Sequence, residues 1–182
     1  MDPGFGSSNF GVCITELVDG KINVLHAEEY TRPDFNQMIS TTVNLIDKYN
    51  IRFDSQCRIY VDGANPSFIA ALKRAVNEDP DYMQQIAFYK REYPTVYDLD
   101  FLRGNMFVLP VSFSKEHKAM LAHCKELMEY RNGYVAIHPR FNKLVTALRA
   151  AVENGEGALD KDATSHDDLF DSFRLSLIPW HL

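Results

Sequence analysis

No run of apolar residues in this chain approaches the roughly 18–20 that a helical membrane span needs, so a transmembrane helix is excluded. The N-terminus lacks the basic and then apolar character of a secretory signal, and the expectation is a protein that stays where it is made. Cysteine is scarce. Cys13, Cys57 and Cys124 are too few and too scattered for a disulfide framework, and none forms the C-x-x-C pair that zinc sites use. They are expected to be reduced, mostly buried thiols, which suits a cytosolic or nuclear setting. The six histidines, His26, His117, His123, His138, His166 and His181, contain no H-E-x-x-H pattern, and His117 and His123 are too far apart for a helical i, i+4 pair. "GFGSS" matches neither a dinucleotide fingerprint nor a Walker loop, so a nucleotide cradle is not expected. No internal repeat, low-complexity tract or heptad run is present.

What remains is the composition of one globular domain spanning residues 1–182, with 46% hydrophobic and 12% aromatic residues. The net charge of −6 opposes tight autonomous binding to nucleic acid, because such affinity comes largely from Lys and Arg on phosphates. Basic residues are nevertheless locally dense at Lys90-Arg91, from Lys115 to Lys125 and from Arg140 to Arg149. Acids gathered in a metal site would account for part of the negative balance, since bound cations invert the local field.

Periodicity orders the chain as alternating strands and helices. "FGVCITELV" and "KINVLHAEEY" read as two strands joined at Asp19-Gly20, a tight hairpin signal. From Pro33 to Tyr49, Phe35, Met38, Ile39, Val43 and Ile46 recur at helical spacing, with Pro33 suited to the first turn. "CRIYVDG" is a strand ending at Asp62, and Asn65 and Pro66 then offer the cap and first position of a helix. From Pro80 to Asn105 the pattern breaks down, and Tyr89, Tyr93 and Tyr97 mix with Lys90 and Arg91. Such a stretch could track a DNA strand or be a solvated loop. "MFVLPVSFS" resumes as a strand, "KEHKAMLAHCKELMEYRNG" as a helix and "YVAI" as a short strand. A further helix follows, with Phe141, Leu144, Val145, Leu148, Ala151 and Val152 on one face. "SHDDLFDSFRLSL" is the final helix, with Leu169, Phe173 and Leu177 inward.

Three acidic positions sit at the ends of these elements: Asp2, Asp62 and the Asp167-Asp168 pair. Carboxylates arriving from distant parts of a chain are what hard cations such as Mg²⁺ or Mn²⁺ require. Each also has a plainer explanation. Asp2 opens Asp-Pro-Gly, good turn chemistry, and Asp62-Gly63 after a strand commonly marks a turn. Ser165 to Asp168 matches the capping-box spacing, and acids are favoured in the first helical turn. Arg174 stands three residues after Asp171 and can neutralise it, which makes Asp171 the weakest ligand candidate.

The order of elements, and in detail "DPGFGSSNFGVCI", "YVDGANPSFIAALK", "VLPVSFSKEHKAML", "VAIHPRFNKLVTALRAA" and "SHDDLFDSFRLSL", resembles the nuclease domain of the large terminase subunit of tailed double-stranded-DNA viruses. That family belongs to the ribonuclease-H-like superfamily, and the likeness covers nearly the whole chain. The resemblance implies an α/β fold, a mixed sheet flanked by helices, and a metal-dependent endonuclease that cuts concatemeric viral DNA during packaging. It assigns Asp2, Asp62 and Asp168 as catalytic metal ligands, Asp167 as an adjacent ligand or an acid that supports the ligands from behind, and His166 as a neighbour without an assigned role. Two Mg²⁺ or Mn²⁺ ions would activate water at the phosphorus and stabilise the departing 3′-oxygen, without a protein nucleophile. The implied partners are double-stranded DNA, an ATPase motor domain, a portal and a small terminase subunit. The implied location is the host cytoplasm, or the nucleus of a eukaryotic host.

Two features depart from that family. The G-x-x-x-x-G-K-[ST] loop of the packaging motor is absent, so the chain is expected to be either an isolated nuclease domain or a fragment of a longer polypeptide. In the family the first acid lies well along the central strand, whereas only Met1 precedes Asp2. Most of that strand is therefore expected to be missing, which would expose unpaired edges, and one of three outcomes is expected: a truncated gene, a first strand supplied by an upstream polypeptide, or a sheet rearranged around the gap. Rival readings are a Holliday-junction-resolvase-like nuclease and a catalytically silent docking domain.

Overall fold

The structure is a computed structural model that describes residues 1–4, 8–51, 57–77, 87–88, 91–92, 107–130 and 134–180. Apart from four residues, the stretch expected to be irregular between Pro80 and Asn105 lies outside them, as does most of "GFGSS".

The hairpin forms as its sequence dictates. β1 (Phe10–Val18) and β2 (Lys21–Tyr30) pair antiparallel. Asp19 and Gly20 both take positive φ, 50° and 72°, which gives the turn the twist of its flanking strands. α1 (Phe35–Lys48) starts at Asp34 rather than at Pro33. Asp34 Oδ1 accepts the Gln37 N–H and Gln37 Oε1 accepts the Asp34 N–H, both at 2.8 Å. This reciprocal cap satisfies two donors at once and leaves Pro33 outside the helix. β3 (Ile59–Asp62) leads into α2 (Pro66–Asn77), whose first turn is closed by the Asn65 carbonyl accepting from Ile69 at 3.1 Å. β4 (Val108–Val111) pairs parallel with β3 along its whole length.

α3 (Phe113–Glu129) begins two residues before Lys115 and stops short of Gly133, because Tyr130 turns to an extended ψ of 125°. β5 (Val135–Ala136) pairs parallel with β2. α4 (Asn142–Ala150) is shorter than the apolar pattern predicts. The Val152 carbonyl accepts from Asp160 at 2.7 Å and its N–H reaches Thr164, so Val152 leaves the helix and is 47% exposed. α5 (Asp167–Leu177) ends the described fold, with Leu169, Phe173 and Leu177 fully buried.

The elements stack in three layers. On one face Phe10 and Val12 of β1 join Ile59 and Val61 of β3 beneath α1 and α2. On the other, Cys13, Ile22 and Val24 pack against Cys124 and Leu127 of α3, Leu144 of α4 and Leu169 and Phe173 of α5. Alternation along each strand sends successive side chains to opposite layers. Cys13 and Cys124 are buried, and burial pushes both thiols up to about 12.

The strands fall into two groups, β1-β2-β5 and β3-β4, and the first two residues join them. Asp2 N–H donates to the Gly11 carbonyl at 2.9 Å and the Asp2 carbonyl accepts from Gly11 at 3.0 Å. On its other side the Met1 amine donates to Tyr60 O at 2.7 Å, and Met1 O accepts from Asp62 at 3.2 Å. The second pattern is that of a parallel pair aligned on Val61. Residues 1–2 thus hold the central position of a mixed α/β fold, and Asp2 lies within it rather than in a frayed terminus. None of the helices among the described residues is long and apolar enough to cross a membrane.

Candidate functional site

Asp2 owes its position to the bonds just described, which hold its backbone between β1 and β3 and leave the residue 8% exposed. Asp62 ends β3, and its Oδ1 accepts the Ala64 N–H at 3.1 Å, the turn that Asp-Gly promises. Gly63 lies against β4: a β-carbon there would stand 3.0 Å from Val111 O. The turn and a ligand role are compatible, since only one of the two carboxylate oxygens is used in that bond.

Asp168 is placed differently from its sequence reading. The capping box expected from Ser165 to Asp168 does not form. His166, at φ 55°, occupies the cap position without a side-chain hydrogen bond to the helix. The Asp168 carboxylate instead turns toward the start of β1, where Oδ2 accepts the Asn9 N–H at 3.0 Å. Capping therefore does not explain this acid. Glu29, at the end of β2, accepts from the Asn9 side chain and contacts His166 Nδ1 at 3.1 Å, tying the helix start to the hairpin. Nothing in the sequence pattern singled out Asn9 or Glu29, because their partners are 20 to 159 residues away.

Asp2, Asp62 and Asp168 line a single cavity of about 610 Å³, together with Asp171. Opposite charge reaches the same space through Lys115 and Lys118 of α3, both exposed, and through Lys161. Burial, then the charges of Asp171 and Asp168, with Asp62 adding, push the Asp2 carboxyl up to about 8, against the opposing pull of Lys161. Burial also raises Asp168, to about 6, with Asp167 and Glu29 adding and the Asn9 N–H opposing. The site concentrates carboxylates where water can no longer solvate them well.

Asp171 lines this cavity, is almost fully buried and is paired on two sides. It takes an ion pair from Arg174, as the i, i+3 spacing suggests, and another from Lys161 Nζ at 2.9 Å. Arg174 is fully buried, its guanidinium carbon 5.4 and 5.2 Å from the ring centres of Phe113 and Phe170. Asp167 is not among the cavity-lining residues and stands 3.9 Å from Lys161. No motif or periodicity in the sequence marks Lys161, which lies between the last two helices. His117 also borders the cavity. Its Nε2 accepts the Leu159 N–H at 3.0 Å, and burial followed by the Arg174 charge lowers its pKa.

The donor set suits a hard divalent cation: carboxylate oxygens from three separate elements, two of them with raised pKa among like charges. As they stand, no three His, Cys, Asp or Glu side chains among the described residues close around one point. Lys161 supplies positive charge to the group, and its own pKa is raised: burial opposes its charge, and Asp171, Asp2 and Asp167 outweigh that. No family model, curated protein or solved structure matches the chain.

Proposed function

We propose that this chain is a ribonuclease-H-like, divalent-metal-dependent DNA endonuclease that acts during viral genome packaging. The observation that carries the reading is the arrival of Asp2, Asp62 and Asp168 from three distant parts of the chain at one cavity. Turns and caps account for acids one at a time, but they give no reason for three to share a wall. Asp2, Asp62 and Asp168 would hold the ions. Asp167, outside the cavity lining, would act through Lys161. Bound ions supply Lewis-acid activation of water and stabilise a leaving oxygen.

The chain's own residues do the positioning. The Asn9 N–H fixes one oxygen of Asp168, and the backbone ladder through Gly11 and Val61 fixes Asp2 between two strands. Lys115 and Lys118 are exposed beside the acids, where they meet the phosphates of an approaching strand. With a net charge of −6 the domain has little affinity of its own for DNA, so an attached or associated module would hold the duplex.

The test is Mn²⁺-dependent cleavage of plasmid and linear DNA by the wild type and by Asp2→Asn, Asp62→Asn and Asp168→Asn. Each substitution is expected to lower the rate by at least about 100-fold. Three variants as active as the wild type would defeat the reading, and cleavage confined to four-way junctions would favour a resolvase.

A further inference from the structure

We propose that the cavity between the end of α1, the outer edge of β2 and the start of α4 binds a phosphate group. It measures about 480 Å³ and shares no lining residue with the acidic cavity, so the inference is independent of the nuclease reading. Lys48, Arg140 and Lys143 line it. Among the described residues of its wall Glu28 is the only acid, and Lys143 is its ion-pair partner. Two positive charges are therefore left over, on a chain whose net charge is −6.

A bulge in the hairpin builds this cavity. Ile14 pairs with His26 and Thr15 with Val24, so Leu25 is skipped in the ladder to β1. The Leu25 carbonyl accepts from the Tyr49 hydroxyl at 3.2 Å and from Arg140 Nη2 at 3.3 Å, which draws the end of α1 and the approach to α4 to one point. β5 pairs with β2 only at Ile22 and Asn23, and leaves the edge from Leu25 onward to these side chains. Further along that edge Lys143 donates to the Glu29 carbonyl at 3.3 Å.

Lys48 and Arg140 form no ion pair among the described residues, yet both are held in place. Lys48 Nζ lies 5.2 Å from the centre of the Tyr49 ring, and the Arg140 guanidinium carbon 4.7 Å from that of Phe141. Arg140 spends one of its five N–H donors on Leu25. The rest of the fork can meet two oxygens of one phosphate, and an ammonium lining the same cavity adds charge. α4 adds to this, since its first turn carries no acid and no side-chain cap, and Asn142 and Lys143 border the cavity. Capping of a sheet edge accounts for Arg140 at Leu25 and Lys143 at Glu29. It does not account for Lys48, which donates to no backbone carbonyl among the described residues.

The experiment titrates the full chain, in EDTA and at low salt, with a short DNA duplex, with inorganic phosphate and with acetate. It follows the backbone amide signals of His26, Lys48 and Arg140 by NMR. Saturable shifts at these positions with the duplex are expected, and assign the phosphates of a nucleic-acid backbone. The same shifts with inorganic phosphate alone assign a free phosphate, and either result supports the site. The variant Lys48→Gln, Arg140→Gln, changed at two exposed positions, should bind the active probe at least about tenfold more weakly and, for the duplex, lower the slope of log K against log salt by about 2. Lys21→Gln, Lys125→Gln removes the same charge from exposed positions elsewhere and should cost far less. No shift from duplex or phosphate at millimolar concentration, shifts as large with acetate, or an equal loss in both double variants overturns the proposal. The shifts are read on the wild type, so they decide the matter even where a variant fails to fold.

Discussion

Gly11 lies directly against Asp168: a β-carbon at position 11 would sit 2.1 Å from the Asp168 carbonyl oxygen and 2.6 Å from its carbonyl carbon. The contact is backbone to backbone, so no side chain can swing away to relieve it. One residue thus pairs with Asp2 through its own hydrogen bonds and sets how closely the helix bearing Asp168 approaches the sheet.

Gly11→Ala should therefore move the start of α5 outward and separate Asp168 from Asp2. We expect a stability loss of about 1–3 kcal/mol, typical of overpacking. The cleavage rate should fall by about 100-fold, since small misplacements of catalytic groups are costly. Unchanged kinetics in a folded Gly11→Ala variant would separate the contact from the activity.

Asp2→Asn should trade function for stability. The wild-type carboxyl is held at about 8 by burial and by Asp171 and Asp168, so ionising it at neutral pH works against folding. The amide removes that charge, and thermal denaturation at pH 8 without metal should show Tm higher by about 5 °C. A lower Tm would mean that the carboxylate supports the fold rather than a ligand.

Arg174→Met should be the most damaging of these changes to stability. It leaves Asp171, 1% exposed, without its buried partner, at a cost of about 3–5 kcal/mol. The double variant Asp171→Asn, Arg174→Met should recover much of the loss in chemical denaturation. A double variant as unstable as the single would place the cost in lost packing against Phe113 and Phe170 instead.

Stability without metal should depend on pH through Asp2 and Asp168. Both carboxyls titrate higher in the folded state than the ordinary 3.8, so between about pH 4 and 8 the folded chain binds more protons than the unfolded one. Their contribution to stability falls as pH rises through that window. The Met1 amine, lowered to about 6 chiefly by burial, works in the opposite direction between about 6 and 8. Divalent ions replace the protons, so the Tm gain from Mg²⁺ or Mn²⁺ should be small at pH 5 and grow toward pH 8. An increment independent of pH would argue that the ions bind elsewhere.

Local signals made most of the elements legible. Asp19-Gly20 sets the hairpin turn because both positions need positive φ, and Asn65-Pro66 opens α2 through a cap and a preset φ. The boundaries that moved are those settled by distant partners. α4 loses Val152, whose carbonyl accepts from Asp160 and whose N–H donates to Thr164, and the Ser165 capping box gives way to the Asn9 N–H, which takes Asp168. Lys161, Asn9 and Glu29 carried no readable signal, since each acts on residues far away or in a turn without periodicity.

The sequence by itself determined the succession of strands and helices, the face each helix buries, and the acids that end those elements, because turns, caps and periodicity act over a few residues. Tertiary structure alone decided that Asp2, Asp62 and Asp168 share one cavity, that Asp167 stays off it, and that Lys161 enters it. It also decided that two residues, Met1 and Asp2, join both groups of strands. These outcomes depend on backbone bonds and charges brought together across up to about 170 residues, and no local pattern encodes that distance.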